Sequence, residues 1–301
     1  MEKKENPTSK QNIKKKNKLT VMILTLTAVI SLLAVFLYKN THLLFVAGEY
    51  MGVNCKKVKV EKIELMSTEA FSLKELEEME DTEMNQSLML INNEFMLSSD
   101  FTADVSEYKD TEVFMSPCMQ TAYSELSAAV KKETDDSLYV SSDFRTREQQ
   151  EQEYKDNPSV AIKPGASEHQ GGLALDVYVK YFAGEGFIKS EAGQFVNSKC
   201  HEYGFIIRYP SFGKSKTEIG FEPWHIRYVG EPHANIIYNN HLTLEDYILS
   251  FEKGLWYEAE NYIISRQELS SKGTLQLPQN YERAVISPDN TGCYMITVKL
   301  K

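Results

Sequence analysis

Apolar positions recur along the chain with three rhythms, and each predicts a different kind of element. Residues 19–38 carry no charged side chain. A helix of that length spans ~30 Å, the thickness of a bilayer's hydrocarbon core, so the run predicts a transmembrane segment. From Ser116 the rhythm is helical: Met119, Ala122, Tyr123, Leu126, Ala129 and Val130 recur on one face. Ser116 and Pro117 suit the N-cap and first helical position of that helix, and its stripe reads as core rather than substrate groove. Short apolar runs at 138–141, 173–179, 205–209 and 225–229 predict strands, and 87–92 a first strand or extended entry. Helices are expected at 148–154, from Ser190 to a stop at Gly204, and at 244–251. Alternation at 284–287 and 293–298 makes 256–301 β-rich, with a packed cap preferred to a grip on glycan or peptide.

Together these elements predict an α+β fold, a small antiparallel sheet flanked by helices. The expected boundaries are a basic tail at 1–18, a membrane anchor at 19–38 and a stalk at 39–85. A catalytic domain follows at 86–253, and a small β-rich C-terminal appendage at 254–301. Within the stalk only 56–63 alternates well enough for a strand, and 73–84 is acidic and helix-forming with a thin apolar stripe.

Charge sharpens this organisation. Residues 1–18 hold seven lysines against two glutamates, so a net charge of −10 leaves about −15 on the remainder. Lysines before the apolar run, with only Lys39 close behind it, predict a cytoplasmic N-terminus and an exported body at the cell membrane. A cleaved signal peptide would have a shorter apolar region of ~7–15 residues ending near an Ala-x-Ala-like site, which is not found. An acidic body argues against a nucleic-acid partner. Cys55, Cys118, Cys200 and Cys293 form no Cys-x-x-Cys pair, which argues against a cysteine metal site. Cys118 and Cys200 read as small apolar residues on helices.

The chemistry lies in Ser167-Glu168-His169-Gln170-Gly171-Gly172-Leu173-Ala174-Leu175-Asp176 and in Glu222-Pro223-Trp224-His225. Two histidines and an aspartate with a spare glutamate suit one catalytic zinc, which keeps three protein ligands and an open position. His169, Asp176 and His225 are the expected ligands, with Glu222 outside the metal shell as the base. His169 and Asp176 are seven apart, so on one unbroken strand they would face opposite ways. On a helix they would lie ~10 Å apart along the axis. Gly171-Gly172 removes the conflict by allowing a turn, after which a strand carries Asp176 into the site, so the zinc site is expected at the sheet's edge and on adjoining loops. Trp224 reads as packing behind the site in preference to touching substrate. Tyr178 and Arg227 read as supporting residues, and His42, His201, His233 and His241 fall in no motif.

Ser-x-His-x-x-Gly-x-Ala-x-Asp followed by Glu-Pro-Trp-His-x-Arg-Tyr-Val-Gly resembles the VanY-type zinc D-alanyl-D-alanine carboxypeptidases, related to the VanX and VanXY dipeptidases. Residues 141–150 are similar to that family's Ser-Gly-Tyr-Arg-Ser-x-x-x-x-Gln segment, departing from it at Asp143 and Phe144. The resemblance covers roughly residues 86–250. It implies that Arg145 contacts substrate and stabilises the oxygen that gains negative charge, and that Gln150 and Ser167 anchor the terminal D-Ala carboxylate. The implied partner is a peptidoglycan stem peptide ending in D-Ala-D-Ala, and the implied consequence is glycopeptide resistance. An L,D-carboxypeptidase, an endopeptidase on the same scaffold, or a zinc-containing binding domain without turnover remain the alternatives.

Overall fold

The uncharged run becomes the apolar half of a long helix, α1 (Pro7–Lys39). Its residues Thr20–Lys39 are long and apolar enough to cross a membrane, and none of that stretch is buried. The Thr25 and Thr27 hydroxyls donate to carbonyls one turn back, so neither brings an unmet donor into the apolar run. The chain here is a computed structural model, which describes residues 7–65, 67–158 and 161–301. It forms two units, Met1–Ala47 and Gly48–Lys301. A second helix, α2 (Thr41–Tyr50), follows α1.

The larger unit begins with elements that the sequence reading assigned to a stalk: β1 (Glu61–Ile63), β2 (Thr68–Ser72), α3 (Leu73–Glu77) and β3 (Thr82–Met84). A two-residue pair, β4 (Ser106–Glu107) and β5 (Phe114–Met115), leads to α4 (Pro117–Thr134), β6 (Tyr139–Ser142) and α5 (Arg147–Asp156). Then come β7 (Ala174–Tyr178), α6 (Glu191–Lys199), β8 (Phe205–Ile207), α7 (Lys214–Thr217) and β9 (His225–Tyr228). Two helices, α8 (His233–Asn239) and α9 (Leu244–Ser250), precede the closing strands. Those are β10 (Trp256–Ala259), β11 (Tyr262–Gln267), β12 (Thr274–Pro278), β13 (Tyr281–Pro288) and β14 (Tyr294–Leu300).

A four-stranded antiparallel sheet, ordered β6-β7-β9-β8, lies at the centre of the expected catalytic segment. Period-two alternation sends Leu175, Val177 and Ile226 to one face, where they pack with Met119, Tyr123 and Leu126 of α4 and with Ala192 and Val196 of α6. Ala174, Asp176, His225 and Arg227 take the other face. The register sets Asp176 directly opposite His225 and Ala174 opposite Arg227.

Two expectations fail here. Residues 61–84 of the expected stalk are sheet instead: β1 pairs with β10, β2 with β12, and β3 runs parallel to β13. Nor are residues 254–301 a separate appendage, because their strands complete a six-stranded sheet, β1-β10-β11-β14-β13-β3, within the same unit as the site. The cause is burial. One face of this sheet packs through Ile264 and Met295 against α8 and α9, and the other packs through Ile263, Ile296 and Val298 against Leu275, Leu277 and Leu76. A sheet apolar on both faces needs cover on both, and the N-terminal strands provide part of it. The segment at 87–92, expected as a first strand or an extended entry, is largely buried and forms no ladder, and all four cysteines are free thiols.

Candidate metal centre

The site is assembled where β7 and β9 lie side by side; these are the two central strands of their sheet, so Asp176 and His225 are not at the expected edge. Cross-strand neighbours sit about 5 Å apart at Cβ, so the pairing of Asp176 with His225 brings a carboxylate and an imidazole together without help from loops. His225 Nδ1 lies 2.9 Å from Asp176 Oδ1. His169 arrives from a single 3-10 turn, Glu168–Gly171, that ends at Gly172 in the left-handed region, φ +66°. Gly172 cannot be replaced cheaply, since a Cβ there would meet Val105 Cγ1 at 2.3 Å. This turn is the reset that a seven-residue spacing demanded, and it brings His169 Nε2 to 3.4 Å from Asp176 Oδ2.

Orientation of His169 is fixed from behind. Its Nδ1 lies 2.8 Å from the Asp143 carbonyl oxygen, which can only accept, so Nδ1 carries the hydrogen and Nε2 presents its lone pair to Asp176. One donor atom each from His169, Asp176 and His225 all fall within 4.8 Å of one another. Ligands at ~2.0–2.1 Å around a tetrahedral zinc stand about 3.3 Å apart. The donor set and its spacing therefore fit one such ion. Glu222 sits on the loop before β9, half-buried, with Oε2 3.9 Å from His225 Nδ1.

Electrostatics separate these groups by role. Burial pushes the Asp176 carboxyl up, but the His169 and His225 rings beside it outweigh that and hold the group well below the usual carboxylate range. Burial pulls His169 down and keeps its ring neutral, as a metal ligand must be. The same burial acts on His225, yet Asp176 and Glu168 on either side raise it to about 9. Glu222 is raised, first by its own burial, the direction expected of a carboxylate that must accept a proton near neutrality.

Arg145 follows β6 and is held at both tips of its fork. Its Nη1 donates to Gln150 Oε1 at 2.9 Å and its Nη2 to Ser142 Oγ at 3.0 Å. Ser142 in turn stands opposite Asp176 in the β6–β7 register. Gln149 is consumed in the capping box with Thr146 that starts α5, which leaves Gln150 as the glutamine facing inward. Gln150 is 1% exposed, and its amide nitrogen donates to the Ile162 carbonyl. Both ends of that amide are thus engaged, so Gln150 bears on the site through Arg145. Ser167 is buried beside the ligand turn, and Trp224 packs half-buried against the α4 and α6 core. His201 stacks on Tyr238 and His241 on Phe212, while His233 lies between Tyr247 and Thr297.

A further group was legible in the sequence only at Arg227. Glu168, Arg208, Arg227 and Glu245 form a buried network directly behind His225. Glu168 Oε1 accepts from Arg208 Nε and Arg227 Nη1, both at 2.6 Å. Arg208 also donates to both Glu245 oxygens, and Arg227 to the Ser87 and Met89 carbonyls. The available signal was an arginine inside each of two apolar strand runs, since a charge in such a run must find a buried partner.

The fold and site together define the class: a centre of two histidines and an aspartate, with a carboxylate beside it, on an antiparallel sheet. The family model described as VanY, D-alanyl-D-alanine carboxypeptidase, matches residues 112–231, which include every residue of that centre. The bifunctional D-Ala-D-Ala dipeptidase and D-Ala-D-Ala carboxypeptidase VanXYC of Enterococcus gallinarum is 34% identical over 157 residues, covering 48% of this chain and 82% of that protein. The chain belongs to the VanY D-alanyl-D-alanine carboxypeptidase family. It spans only 63% and 33% of the lengths of two other relatives, from Enterococcus faecium and Bacillus subtilis. Among solved structures, the vancomycin-resistance D,D-dipeptidase VanXYg with a D-Ala-D-Ala phosphinate analog shares the fold. The TM-score is 0.59 at 23% identity, over 78% of this chain and 100% of that one. The LdcB LD-carboxypeptidase gives a TM-score of 0.50 at 30% identity, over 54% of this chain and 86% of that one.

Proposed function

We propose that this chain is a membrane-anchored zinc D,D-carboxypeptidase that removes the terminal D-Ala from peptidoglycan stem peptides outside the cell, and so contributes to glycopeptide resistance. The observation that carries the reading is the meeting of three ligand atoms within 4.8 Å, with the Glu222 carboxylate 3.9 Å from one of them. His169, Asp176 and His225 would hold the ion. Zinc, when bound, supplies Lewis acidity that polarises the scissile carbonyl and acidifies water. Glu222 takes the proton of the attacking water and returns it to the leaving amine. Arg145, fixed by Gln150 and Ser142, places an always-charged donor where the carbonyl oxygen gains negative charge. Ser167 is assigned to the terminal carboxylate. Gln150 steadies Arg145, and Trp224 backs the site. The anchor reading rests on Thr20–Lys39 and the lysines before it.

A second reading has its own support, because LdcB, an LD-carboxypeptidase, is 30% identical over 86% of its length. The test is release of alanine from a pentapeptide stem, a tetrapeptide stem and free D-Ala-D-Ala by the zinc-loaded full chain. The D,D reading expects the pentapeptide to be cleaved best, whereas preference for the tetrapeptide would replace it with the L,D reading. A chelator should abolish the activity and penicillin should leave it, since no serine nucleophile is involved. The opposite pair of results would end the metal mechanism.

A further inference from the structure

We infer that Glu168 is the positioning residue for His225: it accepts the Nε2 hydrogen and so commits Nδ1 to the metal. This rests on the reading of His225 as a zinc ligand. Five buried side-chain polar atoms among the described residues have no hydrogen-bond partner, and two of them are Glu168 Oε2 and His225 Nε2. These two face each other at 3.6 Å. Burial of an anionic oxygen without a partner is costly, and the imidazole Nε2 is placed to meet it. They satisfy each other in only one way, with the hydrogen on Nε2. In the neutral ring that a metal requires, the lone pair is then on Nδ1, the nitrogen already beside Asp176.

The rest of the network keeps Glu168 from turning away. Its other oxygen is pinned by Arg208 and Arg227, neither of which is more than 1% exposed. Arg208 is anchored in turn by Glu245 of α9, and Arg227 by two backbone carbonyls. The carboxylate is therefore rigid in both position and charge. The two ligand histidines are oriented differently: a neutral backbone carbonyl sets His169, and an anion locked between two arginines sets His225. An anionic partner raises the basicity of the ring it holds, which strengthens the ligand bond.

The test compares zinc affinity, by chelator competition, in the full chain solubilised in detergent. Glu168→Gln keeps the shape but loses the anion, and it should bind zinc about 10–100-fold more weakly. Glu245→Gln removes a charge from the same network on the far side of Arg208. It should lower the melting temperature comparably and leave zinc affinity unchanged. Equal affinity losses in both variants, or none in Glu168→Gln, would reduce Glu168 to a structural ion pair. Nitrogen-15 NMR of the zinc-loaded, histidine-labelled wild type needs no variant: it should show Nε2 of His225 protonated and Nδ1 bound to metal. The reverse assignment overturns the inference even if Glu168→Gln fails to fold. His225→Ala separates the two levels. If it still holds zinc tightly, the ligand assignment fails; if it loses zinc while Glu168→Gln does not, only the role of Glu168 fails.

Discussion

The two large sheets of this protein are built from the same alternation and put to opposite uses. In the six-stranded sheet both faces are apolar: Ile263, Ile296 and Val298 pack one way, Ile264 and Met295 the other. In the four-stranded sheet only one face is apolar, and the other carries Asp176, His225 and Arg227, with Glu168 and Arg208 packed behind them. Buried ion pairs add little net stability, because desolvation offsets much of their attraction. The polar face is thus a poor source of stability and a good source of fixed geometry. Each of its charges is held by two or more neighbours. The six-stranded sheet supplies the cooperative core on which that face is mounted.

If chemistry and stability are divided in this way, single substitutions should separate them. The largest effect is expected for Glu222→Gln, on the loop before β9. Loss of a general base costs typically 10²–10⁴-fold in rate, while the half-buried position predicts little change in melting temperature or zinc content. Equal activity in the variant would remove Glu222 as the base. Ile296→Ala, in the middle of β14 and fully buried, should do the reverse. Core truncations of this kind cost about 2–5 kcal/mol, seen as an earlier urea midpoint, with turnover per folded, zinc-loaded molecule unchanged. If turnover fell as far as stability, the two sheets would be one mechanical unit and the division drawn above would be wrong.

The same contrast explains what could be read in advance. The four-stranded sheet was legible because its strands are short runs next to motif residues, and because Gly171-Gly172 told where the chain must turn. His169, Asp176 and His225 come together as their spacing required. The six-stranded sheet was only half legible. Strands β13 and β14 alternate visibly, and the alternation at 56–63 marks β1, but β3 is three residues, too short to signal itself, and both β1 and β3 have partners some 200 residues away. Long-range pairing leaves no local trace, so a segment with weak periodicity reads as a stalk. The Glu168 network was hidden for a related reason. A glutamate beside a ligand histidine has no periodicity to betray it, and its partners Arg208 and Arg227 lie 40 and 59 positions downstream.

The smallest effect expected is also the one that probes where the two sheets meet. His233, on α8, is buried with Nδ1 2.7 Å from the Tyr247 hydroxyl and Nε2 2.8 Å from Thr297 Oγ1 of β14. Burial lowers its pKa to about 3, against about 6.5 for an unfolded histidine. Between those values the unfolded chain binds a proton that the folded chain refuses. Stability from this group is therefore fully present above about pH 6.5 and is lost as the pH falls towards 3. At ~1.4 kcal/mol per unit, the loss between pH 6.5 and 4.5 is about 2 kcal/mol. His233→Gln retains an amide donor and acceptor but cannot titrate. The stability gap between wild type and this variant should therefore narrow by that amount over the interval in paired urea titrations. Carboxylates common to both proteins cancel in the comparison. A gap that stays constant would mean that His233 already opens to solvent, and that the contact between α8 and β14 is looser than the packing around it.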